Sequence, residues 1–337
     1  MKPVKEPVVM NLTGRLLMIL SVSRRTDVPA FYGEWFINRL RDGFVLVRNP
    51  VNPKQVSKIL LSRENIDCIV FWTKNPENFM KYLGELYEYP FYFQFTLNGY
   101  GKDIEPGMPD KKKELIPLFQ ELSEKIGNER VIWRYDPVLI SKDYSIEWHI
   151  HTFESMAEAL EGYTKQAVIS FLDMYRKISR RMTQEGIRRP TEEEVFQFAQ
   201  RAGTSAGNHG MTAVTCAEHY DLSGFGIRPG SCIDRVLVEK LIGMKISVDK
   251  DKNQRPECGC AESIDIGSYD TCPAGCLYCY AGHSREFVNQ TAAQYRPEAL
   301  MLCGKTDQFD KITERKAESC VITQLSFFEG STGGQMR

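Results

Sequence analysis

The first 215 positions of the chain contain six short runs of apolar residues, and few polar residues interrupt each run. Such runs are typical of strands buried on both faces, because a half-exposed strand alternates apolar with polar residues. The predicted strands are Leu16–Ser23, Asp67–Thr73, Phe91–Leu97, Arg130–Tyr135, Gln166–Phe171 and Met211–Thr215. Helical patterns lie between them, which favours a parallel α/β sheet. Six strands are too few for a complete eightfold barrel, so we expect an open or partial (β/α) barrel.

Helices are predicted from the spacing of apolar residues and from capping signals. The predicted helices are Glu34–Arg41, Gln55–Ser62, a segment within 110–126 and Thr191–Ala202. The third is expected to begin at Pro117, because proline is tolerated in the first turn of a helix and breaks its interior. The fourth has the clearest signals, since Thr191 and Glu194 can form a capping box and Gly203 can end the helix.

Polar residues follow most of the predicted strands directly. They form the segments Ser23–Asp27, Thr73–Asn75, Asn98-Gly99, Arg134–Asp136 and Cys216–His219. Parallel strands bring their carboxyl ends to one edge of a sheet, and α/β folds bind their ligands at that edge. We therefore expect the functional site at the carboxyl ends of these strands.

The pattern changes near residue 216, after which the chain is rich in Gly, Cys and Asp and has one short helical run, Cys232–Leu241. A segment of this composition is held by ligands more than by an apolar core. The predicted organisation is an N-terminal extension (1–17), a partial barrel (18–215), a Cys-rich metal-binding segment that folds over the barrel mouth (216–290) and a C-terminal tail (291–337).

Composition limits the partners and the cellular compartment that we expect for the protein. Its 337 residues carry 43 Lys and Arg against 44 Asp and Glu, so no overall field draws it to nucleic acid or to a membrane. The apolar stretch 8–22 is interrupted by polar residues, which indicates neither a signal peptide nor a membrane span. Ten cysteines without a secretion signal indicate a cytoplasmic, reducing compartment, where clustered cysteines are more often metal ligands than disulfides.

Cys272, Cys276 and Cys279 form the most specific motif, with three and two residues between them. Three thiolates at this spacing can wrap around one iron–sulfur cubane and leave its fourth iron without a protein ligand. Gly275 gives the loop the backbone freedom to do so. An open coordination position is typical of a catalytic centre, because a small molecule can bind the metal there. The alternative is a structural zinc knuckle, although zinc prefers four protein ligands.

A second cysteine set lies upstream of that loop. It comprises Cys216, Cys232, Cys258 and Cys260. Four cysteines can close a complete site around either a second 4Fe-4S cluster or a structural zinc ion. The alternative is that the first two are simply buried thiols, since free cysteine is commonly buried. Asp265 and His283 are candidate substitute ligands, and Cys68 is expected in the core.

At its last three clustered cysteines the chain resembles the radical S-adenosylmethionine enzymes, whose motif has the same spacing and an aromatic residue before the last cysteine, here Tyr278. The resemblance implies a 4Fe-4S cluster whose open iron binds the amino and carboxyl groups of S-adenosylmethionine, with Tyr278 near the adenine. It implies reductive cleavage to methionine and a 5′-deoxyadenosyl radical that abstracts hydrogen from a substrate. The electrons would come from a ferredoxin or a flavodoxin.

Further stretches are similar to the spore photoproduct lyase branch of these enzymes, namely Phe95–Asn98 with Asp103–Glu105, and Arg134–Pro137. Thr73-Lys74 lies where that branch also has a Thr/Ser-Lys pair. In the superfamily the cysteine loop follows the first strand, whereas here Ser23–Phe31 follows it and contains no cysteine. From Ser21–Asp27 through Asp265–Gly267 to Cys279–Ala281, most of the chain is similar to a bacterial family of unknown function with this arrangement, DUF1848.

Polar and charged residues at the strand ends are candidates for binding the cofactor. The set comprises Thr73, Lys74, Arg134, Asp136, Arg24 and Arg25. Charges inside a barrel are costly without a partner, which favours binding of the cofactor carboxylate and ribose by Lys74, Arg134 and Asp136. The Arg24-Arg25 pair can hold a carboxylate or phosphate in bidentate fashion, and the alternative is a loop salt-bridged by Asp27.

Three functions are open at the level of the sequence. The first is a radical S-adenosylmethionine enzyme of unknown substrate, with nucleic acid as one option. The second is an iron–sulfur protein that transfers electrons or senses redox state without S-adenosylmethionine. The third is a zinc-stabilised binding module. The basic stretch Arg176–Arg189 could contact a phosphate backbone, although a solvated helix face is the commoner reason for such a stretch.

Overall fold

The computed structural model describes residues 18–315. Its strands are β1 (Met18–Val22), β2 (Phe44–Arg48), β3 (Gln55–Leu60), β4 (Ile66–Thr73), β5 (Phe91–Thr96), β6 (Val131–Val138), β7 (Gln166–Phe171), β8 (Thr212–Thr215), β9 (Arg228–Pro229), β10 (Ile264–Asp265) and β11 (Lys311–Glu314). Its α-helices are α1 (Val28–Phe31), α2 (Gly33–Asp42), α3 (Ile116–Ile126), α4 (Ile146–Ala159), α5 (Arg176–Gln184), α6 (Glu192–Asn208), α7 (Arg235–Ile242) and α8 (Arg285–Ala292). The predicted extension 1–17 and the end of the predicted tail, 316–337, lie outside the described residues. Among residues 18–315, no helix is both long and apolar enough to cross a lipid bilayer.

Eight strands form one parallel sheet in the order β10-β1-β4-β5-β6-β7-β8-β9. The six predicted strands are confirmed as its consecutive central members, β1 and β4 to β8. Neighbouring apolar runs pair in register, with Phe71 opposite Phe93 and Trp133 opposite Ala167. The strand order ends at β10 and β9, and within the described part of the chain no pairing between these two edges closes the sheet.

Alternation along the strands gives the sheet two faces. One face packs into the main apolar core together with α2, α3, α4 and α6, and Phe71 is fully buried there. We call the opposite face the α7 face, because α7 packs on it across β4. Its residues are apolar near the amino ends of the strands, as at Ile19 and Ile132, and polar two positions later, at Ser21 and Arg134. The alternation therefore directs polar side chains to the carboxyl ends of this face.

The Cys-rich segment contributes to this sheet and is not simply added to it. Its strands β9 and β10 pair in parallel with β8 and β1, with Val214 opposite Arg228 and Leu20 opposite Ile264. An uncovered sheet edge leaves backbone N–H and C=O groups without partners, and these short strands supply them. Residues 216–290 are therefore anchored at both edges of the sheet and cross between those edges.

The predicted helix at Gln55–Ser62 is wrong. Residues 55–60 form β3, which pairs antiparallel with β2 and places Val45 opposite Ile59. Val56 and Ile59 are both buried, and their branched side chains fit a pleated strand better than a helix. The short length of the run allowed either interpretation from its apolar pattern.

The described part of the predicted tail is also bound to the folded chain. Strand β11 pairs in parallel with β3, so that Ile312 lies opposite Val56. Before it, the indole N–H of Trp35 donates to the carbonyl of Ala299 over 2.8 Å. Residues 291–315 thus complete a second, three-stranded sheet of β11, β3 and β2.

The other helix predictions differ from the structure mainly at their ends. Helix α2 confirms the predicted Glu34–Arg41 helix, and α3 begins at Ile116 with proline in its first turn. Helix α6 has the predicted capping box at Thr191 but continues through Gly203 to Asn208. A Cβ at Gly203 would lie 2.0 Å from the carbonyl oxygen of Phe225. This glycine therefore permits a close backbone approach and does not end the helix.

Candidate metal and cofactor site

The three cysteines of the 272–279 loop line one cavity of about 80 Å³. The loop lies across the segment that follows β5, since Leu277 N donates to Ile104 O at 2.9 Å and Gly107 N donates to Ala274 O at 3.0 Å. Gly107 makes this approach possible, because a Cβ there would lie 2.4 Å from the oxygen of Ala274. The loop itself turns at Gly275, which has a φ of 72°.

Burial dominates the electrostatics of these cysteines. It raises the pKa of Cys272 to about 12 and raises that of Cys276 as well. The positive charge of Lys74 opposes this rise in the pKa of Cys276. A bound metal cation would act in the same direction as Lys74, because it favours the thiolate over the thiol.

Glu105 is the centre of a polar network beside this loop. Its buried carboxylate accepts from Lys74 Nζ at 2.8 Å and also from Lys111 and from the hydroxyl of Tyr278. Burial disfavours its charge, but the two ammonium groups prevail and lower the pKa of Glu105 to about 2. Lys74 also lies 5.4 Å from the centre of the Tyr278 ring. The predicted cofactor residues Lys74 and Tyr278 are thus brought together by a carboxylate.

Asp27 links the end of β4 to α1. Its carboxylate accepts from Lys74 N at 2.7 Å and from Ala30 N at 3.0 Å. Burial raises the pKa of Asp27 to about 6. Thr73, the other predicted residue at this strand end, is buried, and its hydroxyl accepts from Asn75 N at 3.1 Å. These bonds fix the backbone from which Lys74 extends toward the loop.

Arg25 lies at the margin of the site and does not pair with Asp27. Its guanidinium donates to Gly267 O at 3.3 Å, lies 3.9 Å from Asp265 and stands over the ring of Tyr269. Asp265, considered as a substitute metal ligand, instead accepts from the hydroxyls of Ser21 and Ser23 at 2.8 and 2.7 Å. The alternative of an Arg–Asp27 salt bridge is therefore not observed among the described residues.

The second cysteine set also converges, and we call it the four-cysteine group. Its members are Cys216, Cys232, Cys258 and Cys260. The sulfurs of Cys216 and Cys232 lie 3.2 Å apart, and hydrogen bonds from Cys232 and Cys258 lower the pKa of Cys260. Two thiolates on one zinc ion lie about 3.8 Å apart, since each Zn–S bond is about 2.3 Å long. The thiols are thus in direct contact, and within residues 18–315 no set of three or more His, Cys, Asp or Glu side chains has the finished geometry of a metal site.

Two backbone segments cross to form this group. Ser231 Oγ donates to Gly259 O at 2.7 Å, and Ala261 N donates to Ile233 O at 3.0 Å. A Cβ at Gly259 would lie 2.6 Å from Ser231 Oγ, so glycine is needed for the crossing. Ile233 N also points at Cys260 Sγ over 3.4 Å. The crossing brings together cysteines that are far apart in the sequence.

Arg24 and Arg134 face the four-cysteine group. Nη1 of Arg134 donates to Sγ of Cys232 at 2.6 Å, and the side chain is buried. Burial disfavours the charge of Arg24, but Cys260 and Cys232 beside it raise the pKa of its guanidinium. Both guanidiniums also contact Trp72, at 5.4 and 5.3 Å from its ring centre. The structure thus places these two predicted cofactor residues against the second cysteine set.

Asp136 and Asn98 join the two cysteine sets through hydrogen bonds. Arg134, which contacts Cys232, also donates to the carboxylate of Asp136. Asp136 N donates to Asn98 Oδ1, and Asn98 Nδ2 donates to Asp136 O, both at 2.8 Å. Asn98 Nδ2 also lies 3.3 Å from the hydroxyl of Tyr278. A continuous polar path therefore runs along the carboxyl ends of β5 and β6 from one cysteine set to the other.

Several residues of the site were missed by sequence reasoning. Glu105 lies in Asp103–Glu105, a segment that resembles the lyase branch, and that resemblance was the one signal in the sequence that pointed to it. Trp72 lies within an apolar strand pattern, so nothing in the sequence indicated that it belongs to the site. Glu218 lies in the polar segment after β8, accepts from Phe171 N at 2.8 Å, and has a pKa that burial raises to about 8.

The basic stretch and His283 have structural partners. Arg181 donates to Cys279 O at 3.1 Å, and Arg188 pairs with Glu194 at 2.7 Å. His283, considered as a substitute ligand, pairs with Asp270 at 2.7 Å. Cys68 is fully buried in β4, as expected of a core residue. Part of the basic stretch therefore supports the 272–279 loop and the start of α6.

Comparison with known proteins gives one family match. The family model described as "Domain of unknown function (DUF1848)" matches residues 19–281, a range that contains both cysteine sets. No curated protein matches the chain. One similar solved structure is described as "a putative alpha-L-fucosidase from Bacteroides thetaiotaomicron VPI-5482"; it is 15% identical, with 86% of this chain and 98% of that chain covered and a TM-score of 0.28. A likeness at that TM-score carries no argument about fold or function.

Proposed function

The chain belongs to the DUF1848 family, and we propose that it is a cytoplasmic iron–sulfur enzyme of the radical S-adenosylmethionine type. In this proposal Cys272, Cys276 and Cys279 hold a 4Fe-4S cluster, and its fourth iron is open to S-adenosylmethionine. When bound and reduced, the cluster supplies the electron that cleaves this cofactor. A ferredoxin or flavodoxin serves as the electron donor.

One observation carries the proposal. The three cysteines line a single cavity in a loop that lies across the segment after the carboxyl end of β5, and Lys74, which follows β4, favours the thiolate of Cys276. Ligands of α/β folds bind at this end of the strands, and three thiols are a donor set that suits iron. The donor chemistry therefore fits the cluster that the sequence motif implies.

The neighbouring side chains suit the polar parts of the cofactor. The ammonium of Lys74 has three N–H donors. Glu105 accepts from one of them, which leaves two for the carboxylate of the cofactor. The hydroxyl of Tyr278 is held by Glu105, so the orientation of its ring toward an adenine is fixed. Thr73 ends β4 and Asp136 lies in β6, with β5 between them, and both side chains can accept from ribose hydroxyls.

The substrate of this proposed enzyme is a separate question. Arg176, Lys177 and Arg180 are exposed on α5, next to Arg181, which supports the cysteine loop. Exposed cations beside a reactive centre favour a substrate that carries phosphate, such as a nucleotide or nucleic acid. Arg25, about one-fifth exposed at the margin of the site, could contribute to the same contact.

A second function is favoured by the size of the cavity. Pockets that enclose drug-sized molecules typically measure about 300–1,000 Å³, whereas the cavity at the loop measures about 80 Å³. That space suits an inorganic group better than S-adenosylmethionine. The second candidate is therefore an iron–sulfur protein that transfers electrons or senses redox state without this cofactor.

Anaerobic reconstitution with iron and sulfide, followed by dithionite reduction in the presence of S-adenosylmethionine, tests both candidates. Release of 5′-deoxyadenosine by the wild-type protein, and its loss in Cys276→Ala, supports the first. Iron and sulfide that depend on Cys276, without any 5′-deoxyadenosine, support the second. The matched control is Cys68→Ala, because Cys68 is also buried but lies in the core of β4. Equal iron and sulfide in Cys276→Ala and the wild type would overturn both.

A further inference from the structure

The four-cysteine group has the donors of a complete metal site. Cys232, Cys258 and Cys260 are each less than 10% exposed, and Cys216 contacts Cys232 through sulfur. They come from three separate segments, at residues 216, 232 and 258–260, that meet on the α7 face. Thiols clustered in a reducing compartment are far more often metal ligands than disulfides. Four thiols also suffice to close the coordination shell of one metal centre.

The charges around the group are an independent observation. Arg134 is buried and donates to Cys232 Sγ. Burial disfavours the charge of Arg24, but Cys260 and Cys232 raise the pKa of its guanidinium, whose Nη1 lies 3.5 Å from Asp251. The other terminal nitrogen of Arg24, Nη2, is buried and has no hydrogen-bond partner within the described residues. A buried guanidinium N–H without an acceptor is costly unless a negative group faces it.

A metal centre would supply the negative partner that Nη2 of Arg24 lacks. Four thiolates around a core of charge +2 leave a net charge of about −2, whether the core is zinc or an oxidised 4Fe-4S cluster. The two guanidiniums face that charge, and each also pairs with a carboxylate, Arg24 with Asp251 and Arg134 with Asp136. Sulfur ligands commonly accept hydrogen bonds from such neighbours, which orient the ligands and tune the metal.

We propose that Cys216, Cys232, Cys258 and Cys260 form a second, closed metal site, a four-thiolate centre whose negative charge faces the guanidiniums of Arg24 and Arg134. It has no vacant position for a substrate, in contrast to the centre proposed on the 272–279 loop. Metal binding moves the sulfurs of Cys216 and Cys232 apart from their 3.2 Å contact. The centre joins β8 and α7 to the segment at 258–260, and so holds the Cys-rich segment on the sheet.

The site is tested in the Cys276→Ala background, which removes the first centre and separates the two proposals. The full chain is reconstituted anaerobically, in one arm with zinc and in the other with iron and sulfide, and desalted before metal and sulfide are counted. The expected result is either about one zinc without sulfide, or about four iron with about four sulfide, per chain. X-ray absorption at the metal edge should show four sulfur ligands, with Fe–Fe scattering in the cluster arm only.

The variant that removes the site is Cys276→Ala/Cys232→Ala, and the control is Cys276→Ala/Cys68→Ala. Retained metal should fall at least fivefold in the first and stay unchanged in the control. If the first variant fails to fold, the number of sulfur ligands that X-ray absorption finds in the Cys276→Ala protein still tests the site. Absence of retained metal in both arms, or a shell of nitrogen and oxygen ligands, would overturn the second site and leave the first proposal untouched.

Discussion

Nζ of Lys74 and Oε1 of Glu105 lie 2.8 Å apart at the carboxyl ends of β4 and β5, and the Glu105 side chain has no exposed surface. The ammonium of Lys111 pairs with the other carboxylate oxygen. Buried charges such as these are stable only as a set, because each one alone would bear the full cost of desolvation. The set also fixes Lys74 next to Tyr278 and the 272–279 loop.

Glu105→Gln should therefore lower the free energy of unfolding by about 3–5 kcal/mol, since it takes the carboxylate away from two largely buried ammonium groups. Urea unfolding of chelator-treated protein measures this loss without a contribution from bound metal. The control is Glu124→Gln, because Glu124 is exposed on α3 and should change stability by less than about 0.5 kcal/mol. A loss below about 1 kcal/mol at Glu105 would show that the ion pairs do not hold this part of the site.

Gly107→Ala should displace the 272–279 loop, because the added Cβ would lie 2.4 Å from Ala274 O. A backbone carbonyl cannot move aside as a flexible side chain can, so the loop itself must shift. We expect iron retained after anaerobic reconstitution to fall at least threefold when counted in a background that carries Cys232→Ala. Gly84→Ala is the matched control, since nothing lies within 4 Å of a Cβ at that position. Equal iron in the two variants would mean that the loop does not depend on this backbone contact.

The six central strands could be predicted because their apolar runs are continuous and local in sequence. Strand β3 could not, since Val56 and Ile59 are spaced three apart, a spacing that also suits a helix. Its pairing with β2 and β11 decides its structure, and that pairing depends on residues far from it in sequence. Tertiary partners thus overrode the local pattern.

In the site, too, features local in the sequence could be predicted, and contacts between distant residues could not. The spacing of Cys272, Cys276 and Cys279 is visible in the sequence, and so is the polar character of the strand ends. The partners of Arg134 are not visible, because its contact with Cys232 spans 98 positions of the chain. The prediction therefore assigned Arg134 to the cofactor, whereas its position against the four-cysteine group depends on the crossing of two distant segments.

His149 should make stability depend on pH in a predictable window. It is fully buried, its Nε2 donates to Leu139 O at 2.7 Å, and its Nδ1 therefore accepts from the Tyr135 hydroxyl at 2.9 Å. Burial lowers the pKa of His149 from 6.5 to about 4, so the folded state binds fewer protons than the unfolded state between these values. Stability from this group is therefore lost as the pH falls from about 6.5 to about 4, by roughly 3 kcal/mol.

His149→Gln removes that dependence, and the difference between wild type and variant should shrink as the pH falls through the window. Urea unfolding at several pH values between 4 and 7 measures it, because a constant packing cost of the substitution does not change the slope. His151→Gln is the control, since His151 lies on the same helix α4 and is exposed. A difference between wild type and His149→Gln that does not vary with pH would show that His149 titrates alike in the folded and unfolded states.

Arg24→Gln should weaken metal binding at the four-cysteine group without removing a ligand. The substitution takes away one of the two charges that face the thiols, and loss of a group that supports metal ligands typically costs about 10–100-fold in affinity. Competition of the reconstituted Cys276→Ala protein with a chelator measures the affinity, so the first centre does not contribute. Arg24→Lys should recover part of the loss, since it restores the charge but not the planar fork of donors. Arg180→Gln, an exposed arginine of α5, should leave the affinity unchanged. If Arg24→Gln and Arg180→Gln hold the metal equally well, the arginine does not balance the charge of the site.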